Sequence, residues 1–178
     1  MRDILYEESK NPDNLKAQKI AYYVYAALMW GMIIASVITF FIWFFSGFWF
    51  PLVFSILNAI LFAFVKTKVY YCVDCIFVTG STRIVKVINY KRRKKIIVFE
   101  ANEVLQVGKI TSESFEKLQA MPNIKKVYGT PNKYLTEGFY VHVLQNEQHY
   151  LVLLECKETY LQHLVAFTGR KVIEKDYK

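Results

Sequence analysis

From Ile20 to Val65 the sequence contains no Asp, Glu, Lys, Arg or His. A stretch that long without charge does not suit a water-facing helix, which carries a polar side. It also lacks the intramembrane ionisable group that proton relays and many ion pathways use, which leaves a transporter or channel reading little to stand on. Cysteine is scarce: Cys72, Cys75 and Cys156 are the whole set. Three are too few for a disulfide framework. Cys72 and Cys75 form a CxxC, but no second pair completes a zinc site, and on a strand positions three apart point to opposite faces. They read as reduced, packed thiols. With seven glycines and four prolines the chain has no Gly-rich phosphate loop and no low-complexity linker. A nucleophile elbow and an HExxH are missing too. Glu100 and Glu103 sit close in sequence without any sign of a cleft. The expectation is a non-enzyme with no catalytic residue and no cofactor. A metal site is not expected either. His142 and His149 face each other across the last hairpin, but only Glu147 or Glu155 offers a third ligand, so they read as exposed hairpin histidines.

What is present begins with the apolar run. Ile20 to Phe45, at about 1.5 Å per residue, is long enough to cross a bilayer as a helix with some tilt. Ser46-Gly47-Phe48-Trp49-Phe50-Pro51 breaks it, and its aromatics, with Trp43, suit a membrane interface. Leu52 to Val65 then supplies a second, shorter span. The reading is a tight transmembrane helical hairpin over residues 20–65. A cleaved signal peptide would have a shorter apolar stretch nearer Met1 and a cleavage site. Within the hairpin, Asn58, Gly31, Ala35 and Ser55 are the candidate helix–helix contacts, by small size or polarity.

The charge excess is uneven. Residues 1–19 are balanced, residues 66–109 carry a net +7, and residues 110–178 a net +1. The excess thus falls directly after the second span, next to a bilayer, which favours anionic headgroups over nucleic acid. Lys10, Lys16 and Lys19 precede the first span, Lys66, Lys68 and Arg83 follow the second, and the tip has no Lys or Arg. The positive-inside rule places both termini in the cytosol of a multi-pass protein of the cell membrane. Three segments follow: a cytosolic N-terminal segment (1–19), the hairpin (20–65) and a cytosolic domain (66–178).

From Thr67 the pattern becomes short β-type runs: Val69 to Thr79, Arg83 to Tyr90, Ile96 to Glu100, Val104 to Val107, Ile124 to Tyr128, Phe139 to Gln145 and His149 to Glu155. Thr111 to Glu116 opens a short helix that Pro122 stops. An amphipathic helix runs from about Lys157 to Thr168, with Gly169 as its C-cap and a polar tail after Glu174. Seven strands closed by a C-terminal helix give an α+β class, as a bent sheet or open barrel.

Tyr70-Tyr71-Cys72-Val73 leading into a Gly80 turn, Ile84-Val85-Lys86-Val87-Ile88-Asn89, the basic turn Lys91 to Lys95, Tyr150-Leu151-Val152-Leu153-Leu154-Glu155 and the helix ending Gly169-Arg170-Lys171-Val172 together resemble one family. It comprises small two-pass bacterial membrane proteins with a PH-like cytosolic domain. The family more usually has an acidic turn where this chain has Gly80-Ser81-Thr82. The resemblance implies a PH-like barrel or sandwich and no reaction. The candidate anionic-headgroup contact is Lys91, Arg92, Arg93, Lys94 and Lys95, with Arg83 and Lys86 adding to it. The functional expectation is a membrane-anchored interaction module whose partners are membrane lipids, another membrane protein or a second copy, and not nucleic acid. The alternatives are a subunit or assembly factor acting through the hairpin and, last, a lipid-modifying enzyme.

Overall fold

The computed structural model describes residues 5–89, 91–132, 135, 137–168 and 171–174. The expected C-cap Gly169, the strand-end Tyr90 and the tail beyond Glu174 lie outside the described residues. The chain divides into two compact units, Asp13–Tyr71, and Met1–Pro12 together with Cys72–Lys178.

The first unit is a pair of helices, α1 (Leu15–Ser46) and α2 (Phe50–Val69). Both are long and apolar enough to cross a membrane. Gly47 ends α1 in the left-handed region (φ 71°), with its amide donating to the Trp43 carbonyl at 2.8 Å. Only glycine adopts that conformation without strain. Pro51 then occupies the first turn of α2, where its missing N–H costs nothing. α1 buries none of its residues and α2 buries only Ser55. Ile34, Phe44, Phe45, Leu57 and Phe64 all point outward.

The second unit holds eight strands among the described residues, in two four-stranded sheets. Sheet A is β1 (Leu5–Lys10), β2 (Tyr71–Val78), β3 (Ser81–Ile88) and β4 (Arg92–Glu100), in that order. Sheet B contains β5 (Val104–Lys109), β6 (Ile124–Gly129), β7 (Phe139–Gln145) and β8 (Gln148–Leu154), ordered β5-β7-β8-β6, with β6 parallel to β8. This corrects the expected seven-stranded barrel: there is an eighth strand, and the sheets do not close into one cylinder. The added strand is β1, which pairs antiparallel with β2 from Leu5↔Val78 to Lys10↔Val73. Its sequence, LYEESK, has only two apolar side chains, enough for an edge strand with one face in water.

Two-residue turns join β2 to β3 at Thr79-Gly80 (φ 46° and 84°) and β7 to β8 at Asn146-Glu147 (φ 50° and 61°). Positive φ at both positions is the type I′ pattern that matches strand twist. The core lies between the sheets, with Phe77, Ile84 and Phe99 from one and Val141, Val143, Val152 and Leu154 from the other. A short helix, α3 (Glu113–Gln119), is capped by the Ser112 hydroxyl, which accepts from the Phe115 amide, and packs Leu118 and Phe115 against Tyr140, Leu151 and Leu153. The last helix, α4 (Glu158–Thr168), covers the core end. Its Tyr160 is wholly buried, edge-on to Phe77, and donates its hydroxyl to Thr82 at 3.0 Å.

Candidate functional site

β1 runs into α1 through Asn11 to Asn14, and α2 runs into β2 through Tyr70 alone. The helical pair is therefore inserted between two strands that are hydrogen-bonded neighbours. In an antiparallel order β1-β2-β3-β4, the C-terminal end of β1, the N-terminal end of β2 and the β3–β4 turn all lie at one end of sheet A. That end carries the basic run.

The run is not a turn, as the sequence suggests. The reversal occurs at Asn89 (φ 49°) and Lys91, whose amide donates to the Ile88 carbonyl at 3.1 Å. Arg92 to Lys95 already belong to β4, paired as Ile88↔Arg92, Val87↔Arg93, Lys86↔Lys94 and Val85↔Lys95. A bulge follows at Ile84/Val85, where Ile84 pairs with Ile97 and Ile96 is the extra residue. At this end of β4, an edge strand, Lys91 to Lys95 are all exposed. Cations on an edge also discourage pairing with a foreign strand.

Alternation divides the run. Arg93 points to the face of sheet A that holds Asp74 and Glu7, and its guanidinium lies 3.6 Å from the Asp74 carboxylate and 3.9 Å from that of Glu7. Asp74 is itself buried, so Arg93 balances a carboxylate withdrawn from water. Lys91, Arg92, Lys94 and Lys95 have no ion-pair partner among the described residues. Lys86 stands opposite Lys94. Arg83 is exposed but pairs with Val98, five positions along β3 from the turn residue Ile88. At about 3.3 Å per residue it is roughly 16 Å from the hairpin end at Ile88, but only two positions along β3 from Val85, the partner of Lys95. The structure thus brings together Lys86 and Lys91 to Lys95, places Arg83 across the bulge at their margin, and pairs Arg93 with Asp74 and Glu7.

The four candidate helical contacts sit in different surroundings. Ser55 is the polar point between α1 and α2: its hydroxyl lies 3.1 Å from that of Ser36 and 3.3 Å from that of Thr39. It is thereby used up inside the pair. Asn58 donates to its own helix, to the Phe54 carbonyl at 2.8 Å. Gly31 is exposed, with nothing within 4 Å of where a Cβ would stand, and Ala35 is half-buried.

His142 Nε2 and His149 Nδ1 are 2.9 Å apart, so the two rings share a hydrogen bond. The expectation of exposed histidines fails for His142, which is buried. Burial, and then the neighbouring His149, lower its pKa. Among the described residues no third acidic, Cys or His side chain joins them to hold a metal. Cys72 and Cys75 are both buried and unbridged, and burial pushes the Cys75 thiol up to about 12.

The arrangement defines a class: a PH-like domain carrying an apolar helical hairpin. The chain belongs to the Bacterial PH-like domain (DUF6106) family, whose model matches residues 16–174. No curated protein and no solved structure matches it.

Proposed function

We propose that the chain is a membrane-anchored, non-catalytic interaction module that holds anionic lipid headgroups at the cytosolic face through the β3–β4 hairpin. The carrying observation is that Lys91, Arg92, Lys94 and Lys95 are exposed and unpaired among the described residues, on the end of sheet A to which both apolar helices are attached. One residue, Tyr70, separates α2 from β2, and four, Asn11 to Asn14, separate β1 from α1. Each cation near an anionic leaflet contributes about 1 kcal/mol, an attraction that fades over a Debye length of about 8 Å. Four such groups contribute up to about 4 kcal/mol, enough to hold the sheet end against lipid but not to anchor a protein by themselves. The two apolar helices supply the anchor.

The test uses the full chain in vesicles containing spin-labelled phosphatidylglycerol or spin-labelled phosphatidylcholine. The wild type immobilises a larger fraction of the anionic label, and the variant K91Q/R92Q/K94Q/K95Q loses that preference. Equal immobilisation of both labels at low salt by the wild type would refute the reading. A second reading, an accessory subunit acting through the hairpin, draws on the exposed surface at Gly31, beside half-buried Ala35. A Gly31→Leu substitution that dissociates a co-purifying membrane protein would support it.

A further inference from the structure

The two arms of the helical pair are unequal: α1 has 32 residues and α2 has 20. Contacts at three heights fix their register. The Ser36 and Ser55 hydroxyls are 3.1 Å apart, the Tyr25 and Phe62 ring centres 6.3 Å apart, and those of Tyr22 and Tyr70 6.4 Å apart. In this antiparallel register Lys66 stands close to the level of Tyr25, and the first turns of α1 run on past the end of α2. Polar and aromatic side chains mark both ends of the shorter arm. At the tip Trp43, Phe48 and Trp49 are exposed and no residue is charged. At the base stand Tyr22, Tyr23 and Tyr25 of α1 and Lys66 and Lys68 of α2, with the Lys19 ammonium 5.9 Å from the Tyr70 ring centre. Bands of this kind settle at the edges of hydrocarbon. The helical rise gives their separation: about 26 Å from Trp49 to Lys66 along α2, and about 27 Å from Tyr25 to Trp43 along α1. An ordinary hydrocarbon core measures about 30 Å. Lys66 does not extend the span. Helical Cβ bonds tilt towards the N-terminus, which for α2 is the tip. Its ammonium lies 3.0 Å from the Met29 sulfur, one turn nearer the tip than Tyr25.

We propose that the hairpin selects a thin bilayer: its lipid-facing surface takes phospholipids of short acyl chain, and α2 between Trp49 and Lys66 sets the length it accepts. The inference rests on the membrane-spanning reading of α1 and α2, and adds selection by lipid tail to selection by headgroup. The apolar surplus of α1, Ile20 to Val24, then lies at headgroup level, where its tyrosines belong. Tilting relieves a helix that is too long for its bilayer. It cannot relieve one that is too short, because tilt only lessens the span along the membrane normal. In thicker lipid the surrounding bilayer must thin instead, at a cost that grows with each ångström of mismatch. Lipid whose chains already match this hairpin therefore displaces longer lipid from its surface.

All three tryptophans, Trp30, Trp43 and Trp49, lie in the hairpin, so intrinsic fluorescence reports its contact with lipid. The test reconstitutes the full chain in dibrominated dioleoyl phosphatidylcholine, which quenches tryptophan, mixed with a second phosphatidylcholine of chosen chain length. The headgroup is constant, so the basic cluster on β4 has no part in the result. Dipalmitoleoyl lipid displaces the brominated lipid at least threefold better than dierucoyl lipid does. Lys66→Leu lengthens the apolar arm and moves the preference to dioleoyl lipid. Equal displacement at every chain length, a preference for dierucoyl lipid, or a preference unmoved by Lys66→Leu would overturn the proposal and leave the membrane-spanning reading intact. No quenching by the brominated lipid would overturn both.

Discussion

Glu155 ties the first strand of the chain to the far end of the domain, and its replacement has a calculable effect. Lys10 Nζ, at the end of β1, lies 2.6 Å from Glu155 Oε1. The Thr130 hydroxyl and the Asn132 side-chain amide donate to Glu155 Oε2 at 2.8 and 2.7 Å. Burial raises the carboxyl pKa, but hydrogen bonds from Lys10, Thr130 and Asn132 and the charge of Lys10 outweigh it, so the pKa falls below 4.5. Glu155→Gln keeps the shape and removes the charge. Loss of charge assistance on two hydrogen bonds, together with a half-exposed ion pair, costs about 2 kcal/mol. A cost of that size multiplies local opening about thirtyfold. The assay is amide hydrogen exchange of peptides covering residues 5–10 in the full chain. A carboxyl with a depressed folded pKa stabilises fully above its unfolded pKa and stops doing so as pH falls through the folded value. The gap between wild type and Glu155→Gln is therefore complete at pH 7 and closes below pH 4.5. Unchanged protection of β1 at pH 7, or a gap that persists once the wild-type carboxyl is protonated, would refute the reasoning.

Further outcomes follow from the same contacts. Tyr160→Phe leaves the buried Thr82 hydroxyl without its donor and lowers stability by about 1 kcal/mol, read from thermal loss of the β-sheet circular dichroism signal. His142 has a folded pKa below 6.5, so the unfolded chain binds its proton first and stability declines as pH falls below 6.5. His142→Gln flattens that decline in melts between pH 7 and pH 5, and a wild-type curve already flat there would count against the buried pair. Gly47→Ala places a side chain at φ 71° and weakens the helical hairpin by about 1 kcal/mol, read by resistance to SDS titration. Cys75, with its thiol pushed up to about 12, stays unmodified by maleimide at pH 7 until the domain is unfolded.

Much of this architecture is legible because it rests on long, one-signed patterns. The uncharged run from Ile20 to Val65 and the Gly47 break specify two apolar helices, since no short-range alternative accommodates so many apolar side chains. The β2–β3 and β7–β8 hairpins are legible from alternation, and α3 from its Ser112 cap. β1 is not, because Leu5 and Tyr6 are its only apolar residues and its partner Val78 lies across the whole helical pair in sequence. Five consecutive cations look like a loop. Four of them, Arg92 to Lys95, lie in β4, an edge strand on which all four side chains are exposed. The burial of Glu174 is hidden in a polar C-terminal stretch, because the glycine beside its carboxylate, Gly108, is remote in sequence.

Labelling of single introduced cysteines in intact bacteria by a membrane-impermeant maleimide bears most directly on a hairpin inserted between two paired strands. Glu7→Cys on β1 and Lys94→Cys on β4 resist the label until the cells are lysed, whereas Trp49→Cys at the helical tip is labelled from outside. Reaction of Glu7→Cys and Lys94→Cys from opposite sides of the membrane, or protection of Trp49→Cys in intact cells, would contradict the account.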